Sequence, residues 1–416
     1  MKLSEELQWR GFANQTTFTT ITELDEQKRT FYWGVDPSAS SMTIGNLAAA
    51  MMARVFIKHG YTPVLLVGGA TGLIGDPDGK AQERDLKTTE EVDKNKAGIV
   101  KQYRRLFNGI DFKVVDNYDW FKDMNYLMFL REVGKHVPMR QMLSRDFVQS
   151  RLGEEGAGIS YAEFSYSLIQ GYDFLHLFEN HDVTLQLSGA DQWGNSIAGV
   201  DLIRRKTGKA AHVWTTPLIV NKATGIKFGK TEDGAVWLDA EMTSPYKFYQ
   251  FWLNADDEGV EDYLKVYTLL DEAEVSGVMA EFVANKAERA AQKRLAYEVT
   301  ALVHGDEVAD SVKRITAVLF GGSEYSGLTH DDYIQLAQEL PLAQVSVGDS
   351  YTSAVVNAGL ASSNSESRRF IEQGGVYVNG QQIAVDAMVT SSDALDGVHI
   401  IIRRGKNSNA ILKLAA

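Results

Sequence analysis

Four short stretches of the chain carry residues able to do chemistry, and three of them close a strand-like run. From Tyr32 to Leu47 the chain reads Y-W-G-V-D-P-S-A-S-S-M-T-I-G-N-L. A short β-type run to Val35 breaks at Asp36-Pro37, and small polar residues follow. The Ala/Met-rich segment from Leu47 to Lys58 then meets no helix breaker before Gly60. Strand, turn and helix start leave free backbone N–H groups and the positive end of a helix facing one spot, which favours a phosphate. An ordinary βα turn has the same outline. From Tyr161 the chain reads Y-A-E-F-S-Y-S-L-I-Q-G-Y-D-F, where helical spacing puts Tyr166, Gln170 and Asp173 on one face. That face offers a phenol, an amide and a carboxylate where apolar side chains are normal; polar residues satisfied at a helix–helix contact would look similar. The strand-like V-T-L-Q-L leads into S-G-A-D-Q-W-G-N, Ser188 to Asn195. Last, Lys227, Lys230 and Thr231 sit in the Gly-punctuated I-K-F-G-K-T-E-D-G. They make either a solvated hairpin tip or a mobile cationic clamp on a polyphosphate.

The elements that would position these groups alternate between strand-like and helix-like. Pro63 to Val67, P-V-L-L-V, suits a strand buried on both faces of a parallel sheet. It leads into G-G-A-T-G-L-I-G-D-P-D-G-K, Gly68 to Lys80, expected to be a loop whose glycines admit close approach to a ligand. The two common phosphate fingerprints fail there, because Ile74 stands where a Walker loop needs glycine and no G-x-G-x-x-G register fits. Val114 to Asn117 reads as another strand end, followed by Tyr118-Asp119-Trp120. Ligands of open parallel sheets gather at the strands' carboxyl ends, so one composite pocket is the natural inference.

A chain of 416 residues suggests two or three domains. Its 44% hydrophobic and 23% charged composition is ordinary for a globular protein. No apolar run approaches a membrane span, and the acidic N-terminus does not resemble a secretory leader, so a cytoplasmic location and no membrane partner are expected. The absence of cysteine excludes disulfides and thiolate metal sites. The net charge of −13 argues against a generally basic nucleic-acid coat, yet Tyr351 to Ala416 carries six basic against five acidic residues. Within that tail, S-E-S-R-R-F-I-E-Q-G-G-V-Y-V-N-G-Q-Q-I pairs Arg368 and Arg369 on a helix ahead of a Gly-Gly stop and a tight turn. Those arginines are either solvated on a surface helix or, since the stretch resembles a small RNA-binding module of the S-four type, expected to meet RNA phosphates.

T-I-G-N (Thr43 to Asn46) and K-F-G-K-T (Lys227 to Thr231) resemble the HIGH and KMSKS signatures of the class I aminoacyl-tRNA synthetases. The Tyr-x-x-x-Gln-x-x-Asp and Gly-x-Asp-Gln-Trp-Gly-Asn runs resemble the bacterial tyrosine-specific branch in particular, and the similarity covers essentially the whole chain. It implies an α/β fold: a Rossmann-like parallel-sheet catalytic domain over 1–222, then a lysine loop and α-helical anticodon-side domain over 223–322. A linker over 323–350 and an α+β RNA-binding domain of the S-four type over 351–416 complete it. By resemblance, Tyr32 and Asp173 meet the substrate phenol, Asp76, Tyr166 and Gln170 the ammonium, and Gln192 the carboxyl. Gly34, Asp36, Gly45, Gly189 and Asp191 surround the adenosine and its ribose. Ser38, Lys80, Arg84, Lys227, Lys230 and Thr231 hold the phosphates, and Thr43 and Asn46 share in catalysis.

The implied reaction is tyrosine activation by ATP, with Mg²⁺ carried on the nucleotide and no dedicated metal ligands on the protein, then transfer to tRNA(Tyr). A homodimer is implied too, with Tyr161 to Phe164 a candidate contact. Two departures stand out. Thr43 and Asn46 replace the usual histidines, as in the tryptophan-specific branch, and Trp33 replaces a small residue near the ribose. That branch, and a non-catalytic RNA-binding paralogue, are the alternatives.

Overall fold

The computed structural model describes residues 1–77, 86–143, 146–152, 158–222, 224–231, 234–320, 327–405 and 408–415. The chain divides into two compact units, Met1–Ser244 with Gln250–Val303, and Pro245–Tyr249 with His304–Ala416.

In the first unit, helix α1 (Leu3–Trp9) precedes a five-stranded sheet: β1 (Thr30–Val35), β2 (Thr62–Val67), β3 (Lys113–Asp116), β4 (Val183–Gly189) and β5 (His212–Thr216). All neighbouring pairs are parallel and the order is β3-β2-β1-β4-β5. Strand order therefore reverses between β1 and β4, and in such sheets the crevice beyond the carboxyl ends at that point is where ligands bind. Helices α2 (Ile44–Lys58), α3 (Gly69–Ile74), α4 (Thr89–Leu106), α5 (Tyr161–His181) and α6 (Trp193–Thr207) accompany the strands.

Alternation along β1 sorts its side chains between the two faces. Phe31 meets Phe56 of α2, and Trp33 meets Tyr103 of α4 at 5.4 Å, whereas Tyr32 meets Phe174 of α5 at 5.3 Å. Trp33 is thus a core residue on the α4 side of the sheet, buried to 3% exposure. β2 is buried from Pro63 through Val67, as a strand covered on both faces must be.

One sequence expectation is corrected here. The glycine-rich stretch after β2 is not a loop at its start but the short helix α3. Its glycines serve packing: a Cβ on Gly69 would lie 2.2 Å from Asp116 Oδ1, and one on Gly72 would lie 2.8 Å from Pro37 Cγ. The backbone thereby approaches β3 and the β1 turn closely.

The lysine loop ends in a small hairpin, β6 (Lys230–Thr231) against β7 (Gly234–Ala235), and helix α7 (Val260–Tyr267) follows.

In the second unit, helices α8 (Asp306–Phe320) and α9 (His330–Glu339) precede β8 (Leu342–Val345), and α10 (Tyr351–Asn357) and α11 (Asn364–Glu372) follow it. Strands β9 (Val376–Val378), β10 (Gln381–Gln382), β11 (His399–Arg404) and β12 (Ser408–Leu414) complete a sheet of order β10-β9-β11-β12-β8. Ile400 and Ile402 pack with Val355 and Ile371 on one face; Ile401 and Ile411 pack with Ile315, Tyr333 and Leu336 on the other.

The stretch 323–350, expected to be a linker, holds α9 and β8. Tyr333 and Leu336, three apart on α9, are each 1% exposed, and β8 pairs in parallel with β12. Enough apolar surface is buried there to order the segment, about 2 kcal/mol for each such side chain.

Candidate active site

A cavity of about 370 Å³ opens at the switch point of the first unit's sheet. Its floor comes from β1 and β4, where Tyr32 lies directly opposite Gln186. Its walls come from α5, α3 and the start of α2, and its mouth from the lysine loop.

At the deep end, the Tyr32 hydroxyl is buried and has no hydrogen-bond partner among the described residues. Asp173, 2% exposed, accepts from Asn117 Nδ2 at 3.1 Å and from Trp120 Nε1 at 2.9 Å. His176 stacks on that indole at 4.4 Å, fixing the plane from which it donates. Burial pushes the Asp173 carboxyl well above the ordinary carboxylate range, against the two donors that favour its charge. Burial, then the Asp173 charge, raises the Tyr32 phenol as well, so it stays protonated and able to donate. Both residues line the one cavity and together offer a donor and an acceptor, the complement of a ligand hydroxyl that accepts one hydrogen bond and gives another.

Further up the wall, Tyr166 donates to Asp36 Oδ2 at 2.6 Å, and Thr71 donates to Asp36 Oδ1 at 2.6 Å. Asn117 Nδ2 also reaches Thr71 Oγ1 at 3.1 Å, so one polar chain runs from Asp173 to Tyr166. Gln192 donates to Asp76 Oδ2 at 2.6 Å, and Asn195 holds Gln192 from behind at 3.1 Å. Gln170 lines the same wall. Carboxylates of Asp36 and Asp76 on this wall make it a cation site, suited to an ammonium. Burial, then the Asp36 carboxylate, raises the Tyr166 phenol well above its ordinary value.

Toward the mouth the groups change character. Thr43 is the N-cap of α2; both its N–H (2.9 Å) and its hydroxyl (3.1 Å) donate to Asn46 Oδ1. The Asn46 carbonyl is thereby occupied while its amide hydrogens remain to serve a ligand, beside the positive end of α2. Gly34, Ser38 and Gly45 line this part, as do Gly189 and Asp191. A Cβ on Gly189 would fall 2.6 Å from Asp191 Oδ1, so a side chain there would displace the Asp191 carboxylate.

The lysine loop reaches the start of α2 directly. Gly229, at φ +89°, sits where a Cβ would lie 2.4 Å from Ile44 Cγ1, and Ile44 N–H donates to Val236 at 3.2 Å. Phe228 is buried and stacks on Tyr263 of α7 at 4.1 Å, anchoring the loop beside Lys227. Lys227 Nζ lies 3.5 Å from Asp191 Oδ2 with both groups well exposed, a weak pairing that a phosphate would readily displace.

The sequence-derived residues therefore converge, with stated exceptions. Lys80 and Arg84 lie outside the described residues, as do the side chains of Lys230 and Thr231, whose backbone forms β6. Arg368 and Arg369 belong to the second unit, exposed on α11, with Arg369 3.7 Å from Glu366. Sequence reading assigned no role to Asn117, Trp120, Gln186 or Phe228. Only the position of the first two just past a strand end hinted at one.

The class I tRNA synthetase family (W and Y) matches residues 24–321, and the SYY-like C-terminal domain of tyrosine–tRNA ligases matches residues 332–412. The chain belongs to the class I tRNA synthetases. It is similar over its full length to the tyrosine–tRNA ligase of Bacillus caldotenax, at 44% identity over 423 residues covering 100% of both chains. It is 41% identical to the tyrosine–tRNA ligase of Bacteroides fragilis, covering 98% of each. Among solved structures it resembles a C-terminally truncated mitochondrial tyrosyl-tRNA synthetase of Aspergillus nidulans. The TM-score is 0.68 at 30% identity, covering 77% of this chain and 94% of that one. This synthetase holds the lysine loop against the start of α2, which Thr43 caps.

Proposed function

We propose that the chain is a tyrosine–tRNA ligase that activates L-tyrosine with ATP and transfers it to tRNA(Tyr). The observation that carries the amino-acid specificity is the buried Tyr32 hydroxyl, without a hydrogen-bond partner among the described residues, in the cavity that Asp173 also lines. Phenylalanine would give the Tyr32 hydroxyl no acceptor and Asp173 no donor beyond Asn117 and Trp120, and a hydroxyl-reading site rejects the analogue that lacks it far more strongly than an apolar pocket can. An indole lacks the phenolic oxygen that this pair is built to meet.

With the phenol there, the ammonium falls among Asp76, Tyr166 and Gln170, and the carboxylate near Gln192. That carboxylate is already a nucleophile, so no general base is needed. Its oxygen bonds to the α-phosphorus of ATP while the bond to the pyrophosphate oxygen breaks. Thr43, Asn46, Lys227, Lys230 and Thr231, with Lys80 and Arg84, stabilise charge on the phosphates during that transfer. The terminal ribose hydroxyl of the tRNA then displaces AMP from the mixed anhydride.

Mg²⁺ fits as a passenger of the nucleotide. The pocket carboxylates already have partners, Asp36 in Tyr166 and Thr71, Asp76 in Gln192, Asp191 in Lys227, so none is held open as a dedicated ligand. When bound, the ion neutralises charge on the phosphates.

For tRNA, Arg368 and Arg369 are joined by Arg403, stacked over Tyr377 at 4.4 Å, and Arg404, over Phe370 at 5.0 Å. Cations paired with aromatic faces suit an RNA backbone and its bases. The division of labour among a catalytic domain, a helical domain and a terminal RNA module follows the same reading. A homodimer is supported by exposed Tyr126, Leu127, Met139 and Tyr161, with the Tyr126 and Tyr161 hydroxyls 3.4 Å apart. Among the described residues no helix is long and apolar enough to cross a membrane, and a cytoplasmic location is part of the proposal.

ATP–pyrophosphate exchange with tyrosine, phenylalanine and tryptophan side by side tests the reading. Exchange with tyrosine alone supports it; exchange with tryptophan alone, or none, overturns it.

A further inference from the structure

The second unit contains a side-chain cluster that tyrosine activation does not use. His330 is the first residue of α9, and Asp396 and His399 flank the start of β11, so the cluster joins a helix end to a strand end. Both imidazoles aim the same ring atom at the same oxygen. His330 Nδ1 lies 2.6 Å from Asp396 Oδ2, and His399 Nδ1 lies 2.8 Å from it. The three atoms lie within 4.8 Å of one another.

We propose that His330, Asp396 and His399 form a zinc-class metal site. Two imidazoles and one carboxylate, with a fourth position left to water, are a donor set that Zn²⁺ accepts, at about 2.0–2.2 Å per ligand. The outer partners are those a metal ligand needs. Asp396 Oδ1 is held by the backbone N–H groups of Val398 (3.1 Å) and His399 (2.7 Å), which leaves Oδ2 to face the rings. His399, 5% exposed, lies nearly parallel to Tyr333 at 5.9 Å and 11°, so its ring plane is set before any ion arrives. His330 is 58% exposed in its side chain and supplies both the route from solvent and the adjustable ligand.

Among the described residues no lysine or arginine pairs with Asp396, whose ion-pair partners are these two imidazoles. The ion sits between nitrogen and oxygen when each imidazole is neutral and carries its one proton on Nε2, so that the Nδ1 lone pair faces the metal. Ligand atoms of a tetrahedral zinc stand roughly 3.3 Å apart. Both pairs must therefore open by several tenths of an ångström, from 2.6 Å at His330 and 2.8 Å at His399; exposed His330, in a first helical turn, has the more freedom to do so. A bound ion would clamp the α9 N-terminus to the β11 turn. No spacing pattern marks the cluster, since His330 and Asp396 are 66 residues apart.

The test uses the full chain, stripped with a chelator, desalted and titrated at neutral pH with Zn²⁺, or with Co²⁺ as a spectroscopic probe. One Zn²⁺ should remain per chain after desalting, and Co²⁺ should give the visible absorption of a four- or five-coordinate ion. Zn²⁺ should raise the melting temperature by a few degrees. His330→Gln should weaken binding by at least tenfold and abolish the Co²⁺ band, while tyrosine-dependent exchange stays at the wild-type rate. Asp396→Asn should do the same to binding; if it fails to fold, His330→Gln decides alone. Wild-type binding no tighter than that of His330→Gln, or a Co²⁺ spectrum of the hexaaqua ion, would overturn the proposal.

Discussion

Replacing Tyr32 by phenylalanine separates the two things its hydroxyl does. In the free protein that hydroxyl is buried with no partner among the described residues, in a side chain 2% exposed and packed on Phe174. A buried, unpaired hydroxyl costs about 1–3 kcal/mol, so Tyr32→Phe, which keeps the ring packing, should leave the free enzyme as stable or raise its melting temperature. With tyrosine bound, the same hydroxyl gains a neutral hydrogen bond worth about 0.5–1.5 kcal/mol. Its loss should lower kcat/KM for tyrosine roughly 2- to 12-fold and leave phenylalanine nearly unaffected, narrowing discrimination by the same factor. Thermal denaturation without ligand and exchange kinetics with both amino acids measure the two effects. A variant that is less stable yet discriminates as well as wild type would refute the assignment of Tyr32 to the phenol.

Asp173→Ala removes the acceptor for the phenol and leaves Asn117 and Trp120 as buried donors without it; tyrosine-dependent exchange should fall below detection, and near wild-type exchange would refute the role. Lys230→Ala should slow adenylate formation at least tenfold with little change in tyrosine affinity, as rapid-quench and equilibrium binding would show. Gly229→Ala places a Cβ 2.4 Å from Ile44 Cγ1 at a φ of +89°; pyrophosphate exchange should fall while tyrosine affinity holds, because only the loop moves. Glu6 is a test by pH. Burial raises its pKa, but His59, Lys58 and Arg10 more than offset that and hold it down to about 2, from 4.5. Its folded value is the lower one, so its stabilisation is complete above pH 4.5 and is lost as pH falls toward 2. Glu6→Gln should therefore be less stable by about 3 kcal/mol at pH 7, and the two proteins should converge near pH 2 in acid denaturation.

Spacing within one element was legible; pairing between distant elements was not. Tyr166, Gln170 and Asp173 share a helix face by arithmetic alone, and the cavity takes all three from α5. The parallel sheet could be read from P-V-L-L-V and its neighbours, which form buried β2 with β1 and β3 beside it. Asn117 and Trp120 escaped because their partner Asp173 lies 56 and 53 residues away, a contact made by packing rather than encoded in periodicity. The short helix from Gly69 was read as a loop because close approach to Asp116 or Pro37 demands the same residue as close approach to a ligand. Residues 323–350 looked like a linker because the strand partner of β8 is β12, near the far end of the chain. Thr43 and Asn46 read as departures from a signature; in the structure they are also a helix cap.

The most direct test of the central claim is a crystal structure of the enzyme with a non-hydrolysable tyrosyl-adenylate analogue. The account predicts the phenolic oxygen within hydrogen-bond distance of both Tyr32 Oη and an Asp173 carboxylate oxygen. The ammonium should lie among Asp76, Tyr166 and Gln170, and the adenylate should run toward Thr43 and Asn46. A ligand bound in the opposite sense, or one whose phenol touches neither Tyr32 nor Asp173, would contradict it.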